Sequence, residues 1–203
     1  MALYEHDGAF SVSLNGKELM HSKVTASESL LGRTGVDQIN KDISTRVLIG
    51  GLGLGFTLKS VLESRNPKMK VVLAELVPEV IEWNRTYLKA LNGVLLDDPC
   101  VDIKRVNVID LIRNTEPRTY DAILLDVDNG PVAMVDVNND LLYSTSGIRL
   151  MCRVLKKGGR IAVWSAGPDL KFENRLGKFN CKLQSVPAKV YDGAKRARNM
   201  IYI

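Results

Sequence analysis

Four glycines and one glutamate are the residues whose types and spacing most directly suggest chemistry. Gly50, Gly51, Gly53 and Gly55 follow a short apolar run, and Glu75 ends the next apolar run, about twenty residues later. Glycine adopts positive φ and lets a ligand approach the backbone, and a helix that begins just beyond such a turn offers unpaired N–H groups. A carboxylate at a neighbouring strand end can accept both hydroxyl hydrogens of a ribose. Taken together, these residues predict a nucleoside site.

The glycine spacing distinguishes between classes of nucleotide ligand. Gly51, Gly53 and Gly55 form G-x-G-x-G, whereas dinucleotide sites favour G-x-G-x-x-G. The pattern therefore favours an adenosine moiety over a dinucleotide. Each feature also has a purely structural interpretation, because glycine turns occur for packing alone and a strand-end Glu75 can cap the following helix.

Further polar residues follow the third and fourth apolar runs. Asn107 comes after the third run, and Asp126 and Asp128 come after the fourth, before a Gly-Pro turn. The Asn107 amide can donate and accept, so it could bind an adenine edge, but asparagine is equally common as a turn former. The two carboxylates would lie over the site, although the same composition fits a turn without chemistry.

Alternating strand and helix patterns must position these residues. Predicted strands cover 47–49, 71–74, 101–106, 120–125, 160–164, 179–186 and 199–203; predicted helices cover 27–38, 56–63, 79–91, 109–113 and 141–155. This alternation predicts an α/β fold, a doubly wound Rossmann-like sheet of about seven strands. Residues 9–20 predict a short N-terminal β-hairpin that turns at Asn15-Gly16. We expect residues 1–40 to form a hairpin-and-helix extension, and residues 41–203 to form the nucleoside-binding catalytic domain.

Two local signals refine the helix ends. Ser27 is the predicted cap of the first helix, and the sequence Lys156-Lys157-Gly158-Gly159 predicts the end of the helix at 141–155.

Composition narrows the class of protein. The chain has 203 residues, of which 45% are hydrophobic and 25% charged, as in ordinary soluble domains. No apolar run approaches a membrane span, so we expect a cytoplasmic protein without membrane contact. The three cysteines are widely spaced and predict neither a disulfide framework nor a metal site; we interpret them as core thiols.

The net charge of +5 is unevenly distributed. Residues 153–203 carry 12 Lys/Arg against 3 Asp/Glu. Such a bias suits either an anionic partner or a solvated face. We favour the solvated face, and nucleic acid is the less favoured partner, because no aromatic residues are interleaved with the basic ones.

Several motifs together resemble the spermidine synthase (polyamine aminopropyltransferase) family, which is built on the class I S-adenosylmethionine-dependent methyltransferase fold. The motifs are residues 47–55, Ala74-Glu75, Asp98-Pro99, residues 120–131, Leu142-Tyr143-Ser144 and the hairpin from Leu14 through Glu28. The resemblance implies that Glu75 binds ribose, that Asn107 and Val108 hold adenine, and that Asp126 or Asp128 directs the substrate amine. The expected cofactor-binding residues are Gly50, Gly51, Gly53, Gly55, Glu75, Leu76, Asn107, Val108 and Asp126.

The chain departs from the family pattern at positions that concern the amine half of the site. Gly53 stands where the glycine loop of the family carries an aspartate, and Ala26-Ser27 stands where the family carries Tyr-His or Tyr-Gln. In the family, that aspartate helps to hold the amine of the decarboxylated cofactor. Its absence could admit the methionine carboxylate instead.

The lead hypothesis is an alkyl transferase that uses a sulfonium nucleoside. S-adenosylmethionine or decarboxylated S-adenosylmethionine would be the cofactor, with S-adenosylhomocysteine or methylthioadenosine as product and no metal. The resemblance implies aminopropyl transfer to a small-molecule amine, with Asp126 and Asp128 as catalytic carboxylates, and it allows a homodimer. The alternatives are methyl transfer to an unknown acceptor and a non-catalytic nucleoside-binding module.

Overall fold

A small antiparallel sheet opens the chain. The structure, a computed structural model, describes residues 1–40, 42–127 and 139–203, with 139 and 140 described in backbone only. The sheet comprises β1 (Ala2–His6), β2 (Ala9–Leu14) and β3 (Lys17–His21), in that order. The predicted hairpin is confirmed as β2 and β3. Strand β1 was not predicted, although Asp7-Gly8, with φ of +50° and +71°, is an equally favourable turn.

The main sheet has seven strands. They are β4 (Thr45–Gly50), β5 (Met69–Glu75), β6 (Val101–Arg105), β7 (Tyr120–Leu125), β8 (Leu155–Ser165), β9 (Ser185–Ala188) and β10 (Asn199–Tyr202). Their order is β6-β5-β4-β7-β8-β10-β9; the first five are parallel, and β10 is antiparallel to both neighbours. The predicted doubly wound sheet is confirmed. Strand order reverses between β4 and β7, which is where such sheets bind ligands.

Helices cover both faces of this sheet. They are α1 (Ala26–Val36), α2 (Phe56–Ser64), α3 (Pro78–Arg85), α4 (Val108–Asn114), α5 (Asn139–Leu142), α6 (Thr145–Val154) and α7 (Leu170–Leu176), with a 3-10 turn at Gly93–Asp97. Within β4, Val47 and Ile49 pack with α1, α2 and α3, whereas Leu48 packs with α4, α6 and α7. Alternate residues thus face opposite layers, as strands buried on both sides require.

Helix α1 belongs to the layer that covers the main sheet. A Cβ placed on Gly32 would lie 2.5 Å from the Ser60 Cβ, so α1 and α2 pack with almost no separation. The predicted division at residue 40 stays a prediction. Among the described residues, no helix combines the length and apolarity that crossing a membrane requires.

Several predicted helix ends were wrong. Ser27 lies inside the first turn of α1 and bonds Glu28 instead of capping the helix. The helix predicted at 141–155 is two helices, because the Ser144 hydroxyl accepts from the Gly147 N–H (3.1 Å) and starts α6. Strand β8 begins at Leu155 and runs through the two glycines, with a register shift against β7 and a φ of +78° at Gly158. The glycines therefore permit an irregular strand and do not cap a helix.

The cysteine interpretation was also wrong in part. Cys152 and Cys181 are exposed, and Cys100 is half-buried. Apolar sequence neighbours did not predict burial because Cys152 occupies the solvent side of α6.

Candidate active site

The first half of the glycine turn is held against the end of β7. A Cβ on Gly51 would lie 2.1 Å from the Asp126 carbonyl oxygen, and the φ of Gly51 is +93°. A Cβ on Gly50 would lie 2.9 Å from Cγ2 of Val108. The end of β7 and the start of α4 thus approach the turn so closely that a side chain at either glycine would displace them.

The second half of the turn has different constraints. Gly55 has a φ of +82°, and its Cβ would lie 2.9 Å from the Asn92 Cβ. Gly53 has a φ of +51°, and its Cβ would meet only the flexible Met20, whose Sδ lies 3.3 Å away. The place where the family carries an aspartate side chain is therefore covered by a thioether from β3.

Two buried asparagines brace this turn from below, and the sequence analysis missed both. The Asn84 amide donates to the Gly53 carbonyl at 2.9 Å, and the Asn92 amide donates to the Leu54 carbonyl at 2.8 Å. Asn84 is 0% exposed and Asn92 is 2% exposed. No local pattern singles them out, because the fold alone brings α3 and the segment after it beneath the turn.

Glu75 lies at the carboxyl end of β5, as predicted, with 7% of its surface exposed. Its Oε2 accepts from the Leu52 N–H and its Oε1 accepts from the Val77 N–H, each at 2.8 Å. The carboxylate is therefore fixed between the glycine turn and the start of α3. Leu76, beside it, is 45% exposed.

Asn107 and Val108 begin α4 at the end of β6. The Asn107 Oδ1 accepts from the Ile109 N–H at 3.0 Å, so this side chain caps the helix, and Val108 is buried. Asn107 thus has a local role as a helix cap, and its contact with an adenine edge stays a prediction. Both residues also border the crevice described below.

Asp126 follows β7 directly. Its N–H donates to the Gly50 carbonyl at 2.8 Å, and its Oδ2 accepts from the Thr57 hydroxyl at 2.6 Å. Asp128 lies outside the described residues. The Tyr143 hydroxyl, 3.5 Å from the Val127 carbonyl, stabilises the same segment from the opposite layer.

These residues line two crevices. The first crevice contains seven of the predicted site residues, namely Gly51, Gly53, Glu75, Leu76, Asn107, Val108 and Asp126, together with the neighbouring Val77. The second crevice is lined by Leu19, Met20, His21, Glu28, Leu52, Gly53, Leu54, Phe56, Asp126 and Trp164. Asp126, Gly53 and Met20 border both, so the two crevices meet at one carboxylate. Gly50 and Gly55, the first and last glycines of the turn, line neither crevice.

Glu28 is the second carboxylate of the second crevice. Burial raises the pKa of this carboxyl, and the hydrogen bond that its Oε2 accepts from Ser27 (2.7 Å) partly opposes that rise. Trp164, on the same wall, has a buried Nε1 without a hydrogen-bond partner. In the sequence, Glu28 stood out only through the resemblance of its segment to a known family.

The fold defines a class of protein, those with the class I methyltransferase-like fold. Solved structures with this fold include spermidine synthase from Thermotoga maritima (TM-score 0.75, 21% identity, covering 95% of this chain and 64% of that one). Another is human methyltransferase-like protein 13 in complex with SAH (TM-score 0.62, 18% identity, covering 87% and 78%). Identities at this level show the fold alone.

Within that class, the chain belongs to the spermine/spermidine synthase family. The family model described as the spermine/spermidine synthase domain matches residues 34–176. A polyamine aminopropyltransferase from Prochlorococcus marinus strain NATL2A is 30% identical over 150 residues, which is 73% of this chain and 48% of the relative. One from Corynebacterium efficiens is 35% identical over 127 residues, 60% of this chain and 22% of the relative. The chain thus spans half or less of these relatives.

Proposed function

We propose that this protein transfers an aminopropyl group from decarboxylated S-adenosylmethionine to a small amine. The observation that carries the proposal is the meeting of the two crevices at Asp126. The first crevice would hold the donor nucleoside and the second the acceptor amine. The names of the relatives, polyamine aminopropyltransferases, support the same reaction class.

The first crevice suits an adenosine moiety. Each oxygen of Glu75 accepts a backbone N–H, and a carboxylate offers about four lone-pair sites, so this group suits the diol of a ribose. Leu76 and Val108 provide apolar contacts for the purine, and the Asn107 amide stands at its edge. The absence of a side chain at Gly51 leaves its main chain on this part of the crevice, where the sugar would lie.

The residues of the second crevice suit a cationic amine. A sulfonium donor supplies an activated carbon and a good leaving group, so the protein has chiefly to align the amine and exclude water. Asp126, held by the Thr57 hydroxyl, is positioned to orient the ammonium group beside the donor. Asp128, two residues further on, is proposed to assist, and Phe56 and Trp164 supply apolar walls for a carbon chain.

Methyl transfer from S-adenosylmethionine is the second candidate, and the Gly53–Met20 contact favours it. Met20 covers the position at which the family carries an aspartate for the amine of the decarboxylated cofactor. Without that carboxylate, the site lacks a partner for the amine of the decarboxylated donor and would admit the carboxylate of S-adenosylmethionine. Asp126 and Asp128, which would orient the acceptor, would serve either reaction.

Ligand calorimetry separates the two candidates. We expect the decarboxylated donor to bind more tightly than S-adenosylmethionine, and 1,4-diaminobutane to be consumed with release of methylthioadenosine. A clear preference for S-adenosylmethionine would replace aminopropyl transfer with methyl transfer. Tight binding of methylthioadenosine without turnover of any amine would leave a nucleoside-binding module.

The carboxylate roles are tested by a double substitution. We expect Asp126→Asn with Asp128→Asn to lower kcat by about 100-fold or more. The exposed Asp102→Asn is the matched control, since its partner is a surface lysine. Full turnover in the double variant would remove the catalytic role of both residues.

A further inference from the structure

The unexplained feature of the second crevice is a chain of hydrogen bonds that ends at Glu28. The Asn199 amide, on β10, donates to the Ser27 hydroxyl at 2.9 Å, and that hydroxyl donates to the Glu28 Oε2 at 2.7 Å. Ser27 is 1% exposed. A buried serine and a strand residue 172 positions away from it thus fix the orientation of a single crevice carboxylate.

The main chain at Glu28 is linked to Asp126 through α2. The Thr57 hydroxyl donates to the Asp126 Oδ2 at 2.6 Å and lies 3.3 Å from the Glu28 main-chain carbonyl. One hydroxyl therefore connects the helix that carries Glu28 with the strand end that carries Asp126. Glu28 and Asp126 line the same crevice.

The charged surroundings of Glu28 are limited. Strand β3 contributes His21 and the end of β7 contributes Asp126, whereas α2, β8 and β10 contribute the uncharged Thr57, Trp164 and Asn199. The segment after β9 reaches α1 through the Val190 carbonyl, and its Lys189 is exposed. Within the described part of the crevice, no lysine or arginine therefore lines the wall beside Glu28.

We propose that Glu28 is the proton acceptor for the amine in the second crevice, with Ser27 and Asn199 as its positioning residues. This inference rests on the proposed transfer to an amine. The ammonium gives one proton to the Glu28 carboxylate, and the freed nitrogen lone pair attacks the carbon bound to sulfur. The new C–N bond forms as the C–S bond breaks, its electron pair stays on the sulfur as a neutral thioether, and the charge passes to the product ammonium.

The two carboxylates have environments suited to different tasks. Burial raises the pKa of Glu28, so this carboxyl holds a proton more readily than an exposed glutamate does. Asp126 accepts a short hydrogen bond from Thr57, which fixes it as an orienting group. Because their environments differ, Asp126 can orient the amine while Glu28 accepts its proton.

The pH profile of turnover tests this assignment. We expect kcat/KM for 1,4-diaminobutane to fall at acid pH as Glu28 becomes protonated, and Glu28→Gln to lose that limb with a fall in kcat of about 100-fold. Ser27→Ala removes a bond that favours the ionised carboxylate, so it should move the limb to higher pH. Affinity for methylthioadenosine should stay within about twofold in both variants, and Glu63→Gln, an exposed residue of α2, is the matched control.

A second measurement separates failure of this inference from failure of the proposed function. Calorimetry of 1,4-diaminobutane in two buffers of different ionisation enthalpy counts the protons released on binding. At a pH where Glu28 is partly protonated, the bound ammonium favours the ionised carboxylate before any proton is transferred, so we expect the wild-type protein to release protons on binding and Glu28→Gln to release fewer. If no amine turns over but the two proteins still differ in proton release, the proposed transfer function fails, and Glu28 remains the residue that exchanges a proton with the bound amine. Absence of amine binding, or equal proton release with an unchanged pH profile in Glu28→Gln, would overturn the assignment.

Discussion

Gly51 is the residue of the glycine turn at which an added side chain would disturb the structure most. Its positive φ is a backbone requirement, and its missing Cβ is a packing requirement, since an added carbon would stand 2.1 Å from a main-chain oxygen. The sequence predicted the turn from the glycines themselves. It did not predict which glycine is essential, because the clash comes from Asp126, 75 residues later.

A pair of substitutions separates the two requirements. Gly51→Ala should lower the free energy of unfolding by about 3 kcal/mol or more and abolish binding of methylthioadenosine. Gly8→Ala is the control, because Gly8 has a φ of +71° with nothing within 4 Å of an added Cβ, and it should cost about 1 kcal/mol. Denaturant unfolding measures both. Equal costs would show that Asp126 does not press against the turn.

Individual carboxylates differ in how far the sequence could predict them. Glu75 was placed correctly at its strand end, because an acid that closes an apolar run is a local pattern. Glu28 was not assigned a role from its own surroundings, because its crevice is formed by residues from β3, α2, β7 and β8. Local patterns therefore found most of the residues that line the first crevice and missed Glu28 in the second.

At the scale of elements, the parallel strands were predicted better than the helix ends, whereas the strand predicted at 179–186 is β9 at Ser185–Ala188. Strands β4, β5 and β7 are buried on both faces and appear as continuous apolar runs, whereas the ends of α1, α3 and α6 depend on tertiary contacts. Helix α3 ends at Arg85, although its apolar pattern continues to Leu91. The chain turns there because the following segment brings Asn92 beneath the glycine turn.

The hydrogen bond from Asn84 of α3 to the glycine turn leads to a prediction about these two elements. Asn84→Ala should lower the free energy of unfolding by about 1–3 kcal/mol, because the Gly53 carbonyl loses a buried donor, and it should weaken binding of methylthioadenosine. Asn114→Ala is the matched control, because it removes an exposed hydrogen bond that the Asn114 amide donates at the end of α4. Unfolding and calorimetry measure the two effects. Unchanged nucleoside affinity in a destabilised Asn84→Ala would make Asn84 a purely structural residue.

An ion pair joins the end of α2 to the start of β6 and gives a pH prediction. The Cys100 N–H and the Arg65 guanidinium hydrogen-bond Asp98 and lower the pKa of its carboxyl to about 2. Its stabilisation is complete above the ordinary value of 3.8 and is lost as the pH falls towards 2. Asp98→Asn should therefore cost about 1–2 kcal/mol at pH 7, after allowance for solvent screening, and much less at pH 2.5. Urea unfolding at both pH values checks this, and an equal cost at both would contradict it.

At the scale of the whole molecule, the fold class followed from alternation of strand and helix patterns, and the sheet confirms it. The meeting of two crevices at one carboxylate could not be predicted, because it depends on how β3 and α1 lie over the reversal point of the sheet. The basic residues behind the uneven charge include Lys189, Lys195, Arg196 and Arg198, which are all exposed. A solvated face stays our interpretation of them.

The central claim concerns how the first crevice would recognise a nucleoside, and calorimetric titration of methylthioadenosine into the wild-type protein and Glu75→Gln tests it most directly. Glutamine keeps the shape of the side chain but replaces one acceptor oxygen with a donor, so a backbone N–H and a ribose hydroxyl lose their partner. We predict measurable binding by the wild-type protein and a loss of at least about tenfold in the variant. Equal affinity in the two proteins, or no binding by the wild type, would contradict the account.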